Sequence, residues 1–174
     1  AGNCVIQPPE IRHKVLYASE NIEVIEIGVP AEHVTTIDHN MELPNGSPNP
    51  KRLFKGQKFV HFKSDEASWK DFRLPGFVSK DTLISDNTQN VAGVEVIKSN
   101  GKKAQESTHT SDILFNFVME GTMTLEGEGK EPFSLVSGDA FVIPPNMKTR
   151  YSDISSDLEL LEVSLPGKFD THLI

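Results

Sequence analysis

One segment of this chain is written twice. Residues 2–30, GNCVIQPPEIRHKVLYASENIEVIEIGVP, align without a gap on residues 138–166, GDAFVIPPNMKTRYSDISSDLELLEVSLP, at a constant offset of 136. Gly2, Pro8, Pro9, Ser19, Glu23, Glu26 and Pro30 meet Gly138, Pro144, Pro145, Ser155, Glu159, Glu162 and Pro166. Conservative pairs such as Ile6 with Val142, Arg12 with Lys148 and Ile25 with Leu161 lie between them. A fixed period marks a repeated structural unit, and this one is too long for a solenoid. It fits two related domains, of which the first copy starts at residue 2 and lacks whatever precedes it in the unit. The chain therefore reads as the terminal strands of a truncated first repeat over 1–31, a linker over 32–66, and one complete domain over 67–174.

Length and composition agree with one domain plus an appendage: 174 residues with a net charge of −8. No basic patch interleaved with aromatics occurs, which argues against a nucleic-acid partner. No apolar run approaches membrane-spanning length, and no charged stretch followed by an apolar one marks a signal peptide. The single cysteine excludes an internal disulfide and suits a reducing cytoplasm. Its twin in the repeat is Ala140, so Cys4 reads as a small buried strand position rather than a reactive thiol.

The secondary structure reads as strands. IEVIEIGV (22–29) and LELLEVSL (158–165) are short apolar runs broken by acids, and AGVEVIKS (92–99) alternates. ILFNFVMEGTMTLEGEG (113–129) is a long β-rich run with turns at Glu120-Gly121 and in the Gly127–Gly129 stretch. SGDAFVIPP turns at Ser137–Asp139 and then runs as a strand until two prolines stop it. DEASWKDF (65–72) is the one candidate helical turn, and residues 40–57, rich in Pro, Gly and Asn, read as loop. Many short strands separated by Gly/Pro turns predict an all-β barrel or jelly roll.

Gly2, Pro8 and His13 have the spacing of the second cupin motif, and STHTSDILFNFVMEG (107–121) stands where the first would fall. On these residues the chain resembles the cupin superfamily: 67–174 as one full cupin and 1–31 as the end of another. LELLEVSLPGKF and its twin IEVIEIGVPAEH resemble two-cupin (bicupin) proteins of bacteria in particular. The resemblance implies a double-stranded β-helix, a jelly-roll barrel with a pocket in its mouth.

Such barrels hold a metal with three histidines and a carboxylate or amide, a set suited to first-row divalent ions. Carried onto this chain, the four ligand positions fall on Ser107, His109, Leu114 and Thr149, so one ligand of four is present. The complete domain is therefore expected to be metal-free. His13 stands at the third-histidine position of the truncated repeat, and a divalent metal is possible only in a full-length parent. The other histidines, among them His33 and His39 beside Asp38, read as loop or background.

The expected function is binding of a small molecule in a metal-free pocket lined by His109, Asn116, Met147, Thr149 and Tyr151, with His109 and Thr149 facing each other across the mouth. Two other classes compete. One is a metal-dependent enzyme (dioxygenase, isomerase or decarboxylase) with its metal in the first barrel; the other is a dimerisation scaffold. Along 114–119, Leu114, Asn116 and Val118 take the inward parity, and Phe115, Phe117 and Met119 the outward one. An outer face so apolar needs cover. It is expected from a second chain, a second cupin domain or the N-terminal segment, whose strand 22–29 should itself join a sheet.

Overall fold

A computed structural model describes residues 2–40, 42, 46 and 49–174; part of the 32–66 stretch (41, 43–45, 47 and 48) lies outside the described residues. Alternating sequence makes the strands, and Gly or Pro turns end them. In chain order these are β1 (Cys4–Val5), β2 (His61–Phe62), β3 (Lys70–Asp71), β4 (Phe77–Asp81), β5 (Gly93–Ser99), β6 (Ser107–His109) and β7 (Ile113–Glu120). There follow β8 (Thr122–Gly127), β9 (Phe133–Val136), β10 (Ala140–Ile143), β11 (Thr149–Ser152), β12 (Glu159–Leu165) and β13 (Thr171–Leu173). A single α-helical turn, α1, spans Ile84–Asn87.

Two antiparallel sheets form the barrel, one in the order β10-β7-β12-β5-β4-β3 and the other β13-β6-β11-β8-β9. Their inner faces share one core. Phe77, Ile97, Leu114, Val118 and Leu160 come from the first sheet, and Met123 and Tyr151 from the second. Phe77 and Phe141 each meet the Tyr151 ring edge-on, at 5.8 and 6.1 Å between centroids. The all-β jelly roll is thus the fold, and the strands and turns expected between 92 and 165 fall where the sequence places them.

Three features differ from the sequence reading. DEASWKDF is helical only at its start: Asp65 and Glu66 lie in a short 3₁₀ turn, Ser64–Glu66, and Lys70–Asp71 is an edge strand. The β3–β4 hairpin tip that follows, Phe72-Arg73-Leu74-Pro75-Gly76, folds over the barrel end with Leu74 in the core. The 22–29 segment is not a strand here. Residues 12–40 are exposed throughout, and Ile22, Val24, Ile25, Ile27 and Val29 have no ladder partner among the described residues.

That segment nevertheless keeps the turns of its twin. Gly2 and Gly138 both have positive φ, and Glu10 and Asn146 both lie at φ +63°. Ile11 N–H donates to the Pro8 carbonyl at 3.2 Å, as Met147 does to Pro144 at 3.3 Å. Ile22 donates to Ser19 at 3.4 Å, as Leu158 does to Ser155 at 3.2 Å. Turns are local and form from their own residues. A strand needs a neighbour to satisfy its amides, and β12 has two, β5 and β7, whereas 22–29 has none among the described residues.

The outward parity of β7 is as expected. Leu114, Asn116 and Val118 are buried, and Phe115, Phe117 and Met119 are half-buried on the outer face. Elsewhere on that face Val96 is buried where Gly2 and Ser64 pack above it. The N-terminal ribbon of β1 and β2 thus covers part of the outer surface, while Val142 beside Phe115 stays open.

Candidate functional site

Period-two alternation sends every second side chain of each strand inward, and register decides which of these meet. Across the first sheet, Asp81 of β4 lies opposite Glu95 of β5, Glu95 opposite Glu162 of β12, and Glu162 opposite Asn116 of β7. Polar side chains thus form a continuous row over the inner face of four adjacent strands.

Arg73 reaches this row from the hairpin tip. Its Nη1 and Nη2 donate to the two carboxylate oxygens of Glu162 at 2.6 Å each, and its Nε donates to the Thr171 hydroxyl at 2.9 Å. Glu162 is 4% exposed. A carboxylate so buried requires a partner of this bidentate kind.

Glu95 has no such partner, and its Oε2 is buried without a hydrogen bond among the described residues. Burial, reinforced by the Glu162 carboxylate opposite, pushes it up to about 7. Two carboxylates this close do not both ionise readily.

The second sheet supplies Ser107, His109 and Thr149, and β7 of the first supplies Leu114. Ser107, His109, Leu114 and Thr149, the four positions of the cupin ligand pattern, all line one cavity of about 10 Å³, room for about one water. Arg73, Tyr151 and Thr171 complete its polar wall. Thr149 pairs directly with Ser107, so His109 and Thr149 come from adjacent strands of one sheet. They are neighbours on one wall and do not face each other across the mouth.

His109 is 4% exposed. The backbone of Ile143 and Ser111 lies close, yet neither ring nitrogen makes a hydrogen bond among the described residues. Burial, with the Arg73 charge nearby, lowers its pKa and keeps the imidazole neutral. Burial likewise raises the Tyr151 phenol, which stays protonated.

Of the five residues expected to line the pocket, the structure brings His109, Thr149 and Tyr151 to this cavity. Asn116 is fully buried in the polar row behind it, with both amide atoms unpaired among the described residues. Met147 packs at the core margin beside Gly127. Sequence reading missed Arg73, Glu95 and Glu162. The available signal was parity: Glu162 alternates with Leu161 and Val163 and so faces inward with Leu160, where an acid needs a partner.

The donors at the metal positions do not fit a metal. One imidazole, two hydroxyls and a leucine neither neutralise a divalent ion nor complete its coordination. Among the described residues no three His, Cys, Asp or Glu side chains group as metal ligands, and the adjoining cation is Arg73. His13, the corresponding residue of the repeat, is exposed. No described helix is long and apolar enough to cross a membrane.

No family model matches the chain, and no curated protein matches it. Solved structures do. The polyketide cyclase RemF from Streptomyces resistomycificus superposes with a TM-score of 0.53 at 12% identity, over 64% of this chain and 82% of that one. Pac13, a nucleoside dehydratase from Streptomyces, gives 0.52 at 15% identity, over 65% of this chain and 88% of its own. A cupin-like protein from Thermotoga maritima gives 0.51 at 18% identity, over 62% and 84%. Similarity at this level carries the fold alone: the barrel is a cupin jelly roll.

Proposed function

We propose that the barrel binds a small, uncharged, hydrogen-bonding molecule without a metal. The observation that carries this reading is His109: a neutral imidazole, buried, with both nitrogens unpaired beside the cavity. A buried polar group left unsatisfied costs on the order of 1–3 kcal/mol, and Asn116 and Glu95 add further unpaired atoms behind it. A ligand that pairs with these groups offsets that cost. It must enter by local opening, because the free space now holds about one water. Arg73 and Glu162 cancel each other's charge, which favours an uncharged ligand over an ion.

A panel of uncharged polar fragments, followed by the NMR signals of the histidine rings and by melting temperature, tests this. At least one fragment should shift the His109 signals and raise the melting temperature, and His109→Leu should abolish both effects. The variant itself should be at least as stable as the parent, by about 1 kcal/mol or more, because it removes an unpaired buried imidazole. A panel that leaves His109 unmoved, or stoichiometric metal bound through His109 in the purified protein, would overturn the reading.

We propose further that the chain forms a homodimer, or docks on a second cupin domain, through the outer face of β7 and the segment 12–40. Phe115, Phe117 and Met119 are half-buried and Val142 is open, while the segment carries exposed Ile and Val residues with the turns of a barrel strand pair. Completing the burial of three half-buried side chains contributes on the order of 2–4 kcal/mol before association costs. Light scattering at low micromolar concentration should report about twice 19.3 kDa, and hydrogen exchange should be slow across 22–29. Phe117→Glu should dissociate the dimer. A parent protein that stays monomeric, with fast exchange across 22–29, removes this interface. A reducing, cytoplasmic location completes the proposal and rests on the single cysteine.

A further inference from the structure

Arg73 is held more firmly than a surface cation. Nη1, Nη2 and Nε are each engaged, by Glu162 and Thr171. The rings of Phe72 and Phe169 lie 4.3 and 4.7 Å from its central carbon. The hairpin tip that carries it is fixed as well: Gly76 sits at φ +93°, where an added Cβ would come 2.9 Å from the Lys102 carbonyl oxygen. A guanidinium has five N–H donors in one plane. Glu162 and Thr171 use three, which leaves one on each terminal nitrogen, and the side chain borders the cavity lined by Ser107, His109, Leu114 and Thr149.

We infer that Arg73 is the fixed cation of this barrel, in place of the metal that the ligand pattern would otherwise hold, and that one of its two remaining N–H groups, which lie on opposite edges of the guanidinium, donates to the carbonyl oxygen of an uncharged ligand. This role presupposes that a ligand binds in the barrel. The chemistry of the surroundings selects the class. Arginine donates only, so the ligand atom must be an acceptor. Glu162 already balances the guanidinium, and Glu95 stands next in the row. A carboxylate ligand would therefore add an uncompensated negative charge to a desolvated site. A ligand cation would meet the guanidinium itself. A carbonyl accepts an N–H bond and brings no net charge. The neutral imidazole of His109 is then free to pair with a second group of the same molecule.

The test uses the whole chain labelled with ¹⁵N, with the Arg73 Nε–H signal assigned by its loss in Arg73→Lys. Acetamide, acetate and methylammonium are titrated separately at equal concentrations. Acetamide should shift both the Arg73 Nε–H and the His109 ring signals, and the two ions should shift neither. Arg73→Lys, which keeps the charge but loses the fork, should weaken acetamide binding about tenfold or more. Should that variant fold poorly, Arg73→Met combined with Glu162→Met replaces the pair with apolar side chains and should lose the acetamide response. Acetamide that shifts His109 but not Arg73, or that acts equally on the double variant, refutes the role of Arg73 and leaves ligand binding standing. Acetate binding more tightly than acetamide refutes the ligand class. If no probe moves His109, ligand binding and the Arg73 role fall together.

Discussion

Replacing Arg73 with methionine alone should lower the folding free energy by about 3–5 kcal/mol, because Glu162 would be left charged and unpaired at 4% exposure. That is a large part of the 5–15 kcal/mol typical of a domain. The same substitution made together with Glu162→Met should recover most of the loss. A buried pair and a well-packed apolar pair are of comparable stability, and only the broken pair carries the full desolvation penalty. Urea unfolding of the parent, the two single variants and the double variant measures the coupling, provided the denaturant slope stays constant. A single variant within about 1 kcal/mol of the parent would show that water reaches Glu162, and the barrel interior would then be wetter than its packing indicates.

Glu95→Gln should make the protein more stable than the parent at neutral and alkaline pH and nearly equal to it in acid. The sign follows from where the proton sits. The carboxyl titrates at about 7 in the folded chain against an ordinary value of 4.5. Between those values the folded state holds a proton that the unfolded state has released, so parent stability falls as pH rises across the window. The loss should be complete above about 7 and amount to something on the order of 3 kcal/mol. Glutamine cannot ionise, so the variant escapes it. His109 contributes an opposite slope in acid, because its lowered pKa makes protonation unfavourable in the fold. That contribution is common to both proteins and cancels in their difference. Melting temperatures at a series of pH values give the difference directly, and parallel curves for the two proteins would mean that Glu95 ionises freely in the fold.

The strands β5, β7, β8, β10 and β12 are legible because each is a short apolar or alternating run bounded by a glycine or proline turn. ILFNFVMEGTMTLEGEG carries two strands and both their turns in 17 letters. The hairpin of β3 and β4 was not legible, since a two-residue edge strand has no period to detect. The segment 22–29 shows the opposite failure. Its pattern matches that of β12, yet pattern alone cannot supply the neighbours that complete a strand. At the site, the family pattern located four residues of the cavity lining, Ser107, His109 and Thr149 on one sheet and Leu114 on the other, because alternation fixes which way those residues point. It could not locate Arg73, which lies in an irregular tip brought over the barrel by the chain path. Glu95 and Glu162 were hidden for a different reason. An acid inside an apolar run reads as an interruption, whereas its inward parity requires a buried partner.

The glycine at the hairpin tip also bears on how barrels of this kind could be found among uncharacterised sequences. Arg73 and Gly76 sit three residues apart, and the glycine is needed because the backbone of 102–104 closes the space where a side chain would go. A search built on histidines passes over this chain, which retains only one of its pattern's ligands. A signature of Arg-x-x-Gly entering the second strand of an edge hairpin, with an inward Glu in the last long strand, would select for the guanidinium itself. Any substitution at Gly76 should then act at a distance, shifting the cation without touching a residue that lines the cavity.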